Sequence, residues 1–351
     1  MLGGFAELSA AFVGEVLSRK GKRPVRVRRM HVTDYADSPY NVRGATGLRK
    51  VDVETAGGSV RLMVKALPQP RDREALVWRF LQEAGDLPIP EVYHIESNPR
   101  QGVYGVILEY VGPLSETEVW HEDQCRRVGT ALGRVHAAYW GRTDELPETF
   151  PAPQTPPEAT VEPAVRRFLD RMSPRRHAIL HEAVPDVFGF LARLLRMPPE
   201  FFEERAELPR TLIHGALDRS EVLFRPHGRG PEPVLIDWER ARVGRGTEDL
   251  ASLLNSLTVS ERAAGRESLE AAYLDWLRSA DIGIQARPLH DEIDRQRVLQ
   301  AARRLPQLCR LYVDRRDEAA YSQWRQWFLD VAGPDAAELK KLLGELDRQD
   351  D

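Results

Sequence analysis

Apolar and polar positions alternate along the first third of the chain in a pattern that predicts a sheet. The segment "PVRVRRMHV" (24–32) alternates with the period of a strand, after an opening segment with helical spacing. "TGLRKVDVETAGGSVRLMVKAL" (46–67) predicts two strands around a Gly-Gly turn. "DREALVWRFLQEAG" (72–85) has helical spacing, and "YGVILEYVG" (104–112) is typical of a buried strand. This order of elements predicts a small α+β unit.

Helical spacing dominates after about residue 117. The segments with this pattern are 123–141, 164–171, 176–196 and the chain after about 248. A Pro-rich stretch (146–163) predicts a loop, and short strands are expected on both sides of "RPHGRGPEP". We therefore predict an α+β protein with a sheet-rich N-terminal lobe (1–112) and a larger helical C-terminal lobe (113–351). Two lobes imply a cleft.

Composition places the chain among ordinary globular proteins. Apolar residues make up 42% and charged residues 30%, which excludes a disordered or collagen-like chain. A net charge of −4 gives no electrostatic reason to expect nucleic acid or an anionic membrane as a partner. Charges within the opening segment favour an amphipathic helix over a secretory signal, and no run of about 18 apolar residues exists. The two cysteines form no metal-like or redox-like cluster. We expect a cytoplasmic protein.

Lys65 is the charged residue within the apolar run "LMVKAL", which predicts that it lies on a buried strand. Phosphoryl transfer depends on charge neutralisation and positioning, and a lysine held on a strand by a carboxylate supplies both. Glu74 begins the next predicted helix and is placed to pair with Lys65. A structural salt bridge at a strand end is the commoner reason for such a pair.

Two further segments have backbone groups suited to a nucleotide. In "VRGATGLRKV" (42–51), the N–H groups of Gly44, Thr46 and Gly47 could surround phosphates, although such turns are more often plain connections. Glu109 and Val111 end the last strand of the first lobe and could present backbone groups to an adenine edge. The alternative is a simple linker.

Asp237 follows the apolar strand in "VLIDWE". A carboxylate is costly to bury at such a place unless it is paired or bound to a metal. A Mg²⁺ ligand beside a phosphate site meets this requirement, because Mg²⁺ prefers oxygen ligands. A helix cap or a strand-end turn is the alternative.

Together these segments resemble the aminoglycoside phosphotransferase/choline kinase-like family, which has a two-lobe protein-kinase-like fold. The resemblance spans roughly residues 40–255 and rests on "GATGLRKVDV", "LMVKAL", "REALVWRFL", "VILEYVG", "ALGRVHAAYWG", "LIHGALDRSEVLF" and "VLIDWERARVGRGTEDLASLL". It implies ATP or GTP bound with Mg²⁺ between the lobes, and phosphoryl transfer to a hydroxyl of a small molecule or, less typically, of a peptide. Lys65, Glu74 and Asp237 match the family's site positions, and Asp249 matches a supporting acid.

The sequence departs from the family's pattern in the catalytic loop. The aspartate that orients or deprotonates the acceptor hydroxyl follows His-Gly in the family, but Ala216 stands there. Glu221 stands where the family has the asparagine that binds the second metal. Glutamate still offers oxygen ligands, so Asp237 and Glu221 are the predicted metal ligands. Asp218, two residues after Ala216, is the predicted substitute for the missing base.

These departures leave three interpretations. The chain is an atypical working phosphotransferase, a pseudokinase that binds a ligand or regulates a protein partner, or an active kinase with an engineered Asp-to-Ala change. Glu221 counts against the last as a full explanation, because inactivation needs no second change there. The 54 acidic residues give a weak indication of a cationic acceptor such as an aminoglycoside.

Overall fold

The computed structural model describes residues 8–34, 48–67, 72–98, 103–112, 119–154, 157–183, 187–205, 208–228 and 230–314. The chain divides into two compact units: Met1–Ser115 with Val222–Ala241, and Glu116–Glu221 with Arg242–Asp351. The predicted boundary after residue 112 stays a prediction. The segment Val222–Ala241, which carries Asp237 and was expected in the C-terminal lobe, groups with the first unit.

Helices and strands up to residue 112 are α1 (Ala10–Gly21), β1 (Val27–Asp34), β2 (Leu48–Thr55), β3 (Gly58–Leu67), α2 (Asp72–Glu83), β4 (Val92–Asn98) and β5 (Val103–Glu109). From residue 119 they are α3 (Glu122–Ala138), α4 (Val161–Asp170), α5 (Pro174–Ala183), α6 (Val187–Leu194), β6 (Thr211–Ile213), β7 (Val222–Arg225), β8 (Glu232–Leu235), β9 (Arg242–Gly244), α7 (Gly246–Ser256), α8 (Val259–Ser279) and α9 (Ala286–Asp314). The α+β class predicted from the sequence is confirmed. The helix expected near the C-terminus lies outside the described residues.

An antiparallel five-stranded sheet, ordered β1-β2-β3-β5-β4, forms the centre of the first unit. Its β2–β3 hairpin turns at Gly58, whose positive φ of 126° suits glycine, as the Gly-Gly turn predicted. Leu62 and Val64 of β3 face a core that α1 covers. Lys65 follows Val64, so its side chain lies on the other face of the sheet from this core. Its backbone pairs with Leu48 on one side and with Val106 on the other. The sheet thus fixes Lys65 on its central strand.

Closely packed helices dominate the second unit, where α3 lies against α8 and α7 against α9. Gly129 of α3 lies where α3 approaches α8 closely: a Cβ atom there would lie 2.1 Å from the carbonyl oxygen of Leu269. The short strands β6 and β9 pair antiparallel, so that Ile213, before the loop, lies opposite Arg242, and Gly244, before α7, lies opposite Thr211. No helix within the described ranges is long and apolar enough to cross a membrane.

We expect Gly129→Ala to destabilise the protein by roughly 1–3 kcal/mol, because the new methyl group meets backbone that has to move. The measurement is the free energy of unfolding in urea. Gly189→Ala is the matched control: Gly189 also lies in a helix, α6, but a methyl group added there would meet no described atom of another segment within 4 Å. That change should stabilise the protein by about 0.5–1 kcal/mol through helix propensity. Equal effects of the two variants would contradict the close α3–α8 packing.

Candidate functional site

Lys65 is the centre of an ion cluster in the first unit. Its Nζ lies 2.6 Å from Asp237 Oδ1 and 2.8 Å from Glu74 Oε1. The Glu74 side chain is 2% exposed, that of Lys65 15% and that of Asp237 38%. Three residues chosen from separate sequence segments therefore meet at one place, with Glu74 innermost and Asp237 outermost. The pairing of Lys65 with Glu74 is as the sequence suggested.

Burial and charge set the ionisation of this cluster. Burial alone would lower the pKa of Lys65, but Glu74 and Asp237 together raise it well above its ordinary value, so Lys65 stays an ammonium. Burial raises the pKa of Glu74, and the charge of Asp237 adds to this against the opposing effect of Lys65. Glu74 Oε2 is buried without a hydrogen-bond partner among the described residues. Lys65 is therefore the main group that keeps Glu74 ionised.

A left-handed turn after β8 presents Asp237. The backbone of Asp237 has φ 58° and ψ 53°, a conformation that aspartate tolerates better than most side chains do. The next residue, Trp238, is fully buried and donates its Nε1–H to the Leu235 carbonyl at 3.0 Å, which holds the turn closed. Arg73 at the start of α2 donates hydrogen bonds to the carbonyl oxygens of Glu239 and Ala241. Helix α2 is thus tied directly to the turn that carries Asp237.

Oxygen ligands for a cation are present at this turn. Glu74, Asp237 and Glu239 each place one carboxylate oxygen within 4.8 Å of the other two. Carboxylate oxygens are ligands that Mg²⁺ and Ca²⁺ prefer, so Asp237 has a suitable setting, and its role as a metal ligand stays a prediction. Glu239 was not predicted from the sequence. The other predicted ligand, Glu221, lies in the second unit and is half-buried there, and its role stays a prediction.

Glu109 has a structural contact that the sequence did not indicate. Its carboxylate accepts two hydrogen bonds from Arg225, at 2.8 and 2.6 Å, which join the end of β5 to β7. Burial would raise the pKa of Glu109, but the hydrogen bonds from Arg225 hold it below its ordinary value. The Glu109 amide donates to the Glu91 carbonyl at 2.8 Å, so this N–H is already paired. Contacts of Glu109 and the buried Val111 with adenine stay a prediction.

Gly44, Thr46 and Gly47 lie outside the described residues. Their role in phosphate binding stays a prediction from the sequence.

The loop after β6 belongs to the second unit and is held by its own polar groups. Asp218 accepts hydrogen bonds from the Ser220 amide at 2.8 Å and from the Ser220 hydroxyl at 2.5 Å, as in an Asx turn. The Arg219 amide donates to Ser256 Oγ at 2.8 Å, which ties the loop to the end of α7. Ala216 is half-buried and offers no polar side-chain atom. Asp218 therefore shapes the turn, and its predicted role as a substitute base stays a prediction.

Asp249 fixes the beginning of this loop. Its carboxylate accepts the amide hydrogens of His214 at 2.7 Å and Gly215 at 2.9 Å, and lies 3.3 Å from His136 Nε2. The other ring nitrogen of His136 lies 3.0 Å from the hydroxyl of Tyr273, whose pKa burial raises. Burial would raise the pKa of Asp249, but its hydrogen bond from His136 and the charges around it lower the pKa overall. The supporting role expected for Asp249 thus has a clear geometric basis.

His136 and Tyr273 complete the arrangement around Asp249, and neither was a predicted site residue. Both side chains are buried and form a hydrogen-bonded chain to Asp249. No local signal could have found them, because the three residues come from α3, α7 and α8 and are more than a hundred positions apart in two of their pairings.

Comparison with known proteins identifies the class to which this chain belongs. Residues 42–282 match the phosphotransferase enzyme family, so the chain belongs to that family. No curated protein sequence matches the chain.

Solved structures share its fold at low sequence identity. A candidate aminoglycoside phosphotransferase from Ralstonia eutropha JMP134 is 15% identical with a TM-score of 0.57, over 94% of this chain and 98% of the other. Spectinomycin phosphotransferase in complex with ADP and spectinomycin is 10% identical with a TM-score of 0.55, over 92% and 94%. The GDP complex of aminoglycoside 2′-phosphotransferase IIIa is 13% identical with a TM-score of 0.53, over 94% and 98%. These likenesses confirm the kinase-like fold.

We expect Asp249→Asn to destabilise the protein by about 3 kcal/mol at neutral pH, because an amide cannot accept from both buried N–H groups as a carboxylate does. The pKa of Asp249 is lowered in the folded state, so its stabilising effect is present above the unfolded-state pKa of about 3.9 and lost as the pH falls through the folded-state value. The free energies of unfolding of the two proteins should therefore converge in acid. A constant difference from neutral pH into that acid range would contradict the ionised role of Asp249.

Proposed function

We propose that this protein binds a nucleoside triphosphate, ATP or GTP, together with a divalent cation, and that its phosphoryl transfer to a small-molecule hydroxyl is slow. The observation that carries the proposal is the Lys65 cluster. One buried ammonium is held by Glu74 and Asp237 at 2.8 and 2.6 Å on a central strand. Membership of the phosphotransferase enzyme family and the nucleotide complexes of two similarly folded proteins support it.

Each residue of the cluster has a distinct part in this proposal. Lys65 provides a positive charge for phosphate oxygens, and the buried Glu74 keeps that ammonium in place. Asp237, with its side chain 38% exposed, is open to a hydrated cation. When bound, the cation neutralises phosphate charge. None of these tasks requires a proton to move, so nucleotide binding does not depend on residue 216.

The acceptor side is where the site is deficient. Ala216 cannot orient or deprotonate a hydroxyl, and a positioned general base typically contributes about 10²–10⁴ in rate. Asp218, the nearest carboxylate in the sequence, accepts two hydrogen bonds from Ser220. These two features also favour a second candidate function: a pseudokinase that binds nucleotide and regulates a protein partner without turnover. If transfer occurs, we propose a small-molecule acceptor such as an aminoglycoside or an amino alcohol, with a peptide hydroxyl as the less favoured choice.

Nucleotide should stabilise the folded protein, and Lys65→Met should weaken this binding by roughly 10–100-fold, the value of one or two charge-assisted hydrogen bonds. The measurement is the shift in melting temperature over an ATP or GTP titration, with and without Mg²⁺, each relative to the same variant without nucleotide. Lys20→Met is the matched control, because Lys20 also pairs with a glutamate, Glu91, but is far from the cluster in sequence and lies on α1. Absence of any nucleotide shift in the natural sequence would overturn the proposal.

Restoring an aspartate should restore chemistry. We expect Ala216→Asp to raise ATP-dependent phosphorylation of an accepted hydroxyl by about 10²-fold or more. The assay follows transfer of labelled phosphate from ATP to a panel of aminoglycosides, choline and ethanolamine. Ala216→Asn is the matched control, since it has nearly the same size and can form hydrogen bonds but is not a base. Turnover by the natural sequence at the rate of Ala216→Asp would show that Ala216 does not limit transfer.

A further inference from the structure

Strand β1 forms one outer edge of the five-stranded sheet in the first unit. It pairs with β2 on one side, and no strand of the described residues pairs with its other side. Its regular part, residues 29–34, pairs with residues 49–54 without a register shift. In an antiparallel pair, alternate backbone N–H and C=O groups point away from the partner strand. Strand β1 therefore presents backbone donors and acceptors along the length of an average strand.

Positive charge is concentrated at this edge. Residues 19–34 include seven lysines and arginines and one acidic residue, Asp34, although the net charge of the whole chain is −4. The first two of the seven pair with glutamates. The other five are exposed and have no ion pair with a described residue: Lys22, Arg23, Arg26, Arg28 and Arg29.

The acidic side chains of β1 and β2 do not neutralise this charge. Asp34 and Asp52 each pair with a basic residue of β2. Glu54 lies opposite Arg29 in the register of the two strands. One carboxylate therefore remains against five basic side chains, so the edge keeps a clear excess of positive charge.

The two faces of β1 differ in character. Val27 and Met30 pack against the core that α1 covers. Val32 lies two positions after Met30, hence on the same face, and is 37% exposed. Arg29 and His31 are exposed and lie on the other face. A strand added at this edge would thus have alternate side chains beside apolar residues on one face and beside Arg29 on the other.

The charge of β1 decides which kind of strand fits. Charged residues on an edge strand hinder pairing between two copies of a protein, because like charges would lie side by side. The same charges attract an acidic strand. The backbone groups of the edge favour a peptide over a nucleic acid or a lipid surface, since a peptide backbone continues the hydrogen-bond ladder.

We propose that the outer edge of β1 binds an extended segment of a partner protein, in which acidic and apolar residues alternate, as an added strand. The acidic side chains of this segment lie beside Arg29, and its apolar side chains lie beside Val32. Arg26 and Arg28 extend the positive surface at the start of the strand. The inference goes beyond the proposed function and does not involve the Lys65 cluster, so it is tested separately from nucleotide binding.

The test is the fluorescence anisotropy of a labelled peptide of alternating glutamate and valine, titrated with the full chain. We expect saturable binding that weakens at about 0.5 M salt, because salt screens exposed charges. Arg29→Glu should weaken the binding by about tenfold, since an attraction becomes a repulsion. Arg278→Glu is the matched control, because Arg278 is also an exposed arginine but lies on α8 of the second unit. The melting temperature of each variant shows that it is folded.

Two altered peptides separate strand addition from a general attraction between charges. The same peptide with N-methyl groups on its backbone amides keeps its charge but cannot donate to β1, so its binding should be lost. A peptide of the same composition with all glutamates before all valines should bind more weakly, because its side chains no longer alternate between the two faces.

Three results would overturn the inference: no saturable binding of the alternating peptide, equal affinity for the N-methylated peptide, or equal affinity of Arg29→Glu and Arg278→Glu. A single-stranded oligonucleotide of the same charge and vesicles that contain phosphatidylserine complete the panel. If either of them binds as tightly as the alternating peptide, the edge is a general surface for anions and the proposed preference for a peptide strand is wrong.

Discussion

The buried ion pair between Lys65 and Glu74 is the interaction on which the rest of the first unit's site depends. A carboxylate that is 2% exposed cannot stay ionised alone, and removal of one partner of such a pair typically costs about 3–5 kcal/mol. Three elements therefore have to be in register: the centre of β3, the first turn of α2 and the turn after β8. The antiparallel pairing of β3 with β2 and β5 fixes the first of these, and Arg73 joins the other two.

Asp249 plays an equivalent part in the second unit. A single buried carboxylate accepts two consecutive backbone amides and contacts a histidine, which fixes the point where β6 passes into the loop. In both units, then, a buried acid is satisfied by donors from distant segments, and an irregular segment is held in one conformation as a result. In such loops the buried acid and its donors fix the backbone, and the functional side chains that the loop carries are not needed for this. The backbone around Ala216 is therefore held in place, although Ala216 itself has no polar side-chain atom.

Much of the fold and part of the candidate site could be predicted from local sequence patterns. The other features depend on contacts between distant segments. The β2–β3 hairpin follows from strict alternation around a Gly-Gly turn, and α2 from helical spacing, because both signals are local. Strand β4 was not predicted, since "VYHIESN" contains few apolar residues for an edge strand beside β5. Lys65 and Asp237 were found because a charge within or directly after an apolar run is unusual, and Glu74 because it begins the predicted helix that follows the Lys65 strand. Glu239 was missed, because its proximity to Glu74 depends on a left-handed residue and on Arg73, and neither leaves a pattern in the sequence.

The residues of the Lys65 cluster do not all support nucleotide binding to the same degree. Lys65 and Glu74 stabilise each other, so the fold alone gives a reason for both to be present. Asp237 is different: its side chain is 38% exposed, and its backbone adopts a left-handed conformation that aspartate tolerates better than most residues with a side chain do. Of Lys65, Glu74 and Asp237, the Asp237 carboxylate is the outermost and the most open to solvent, and its role as a metal ligand stays a prediction.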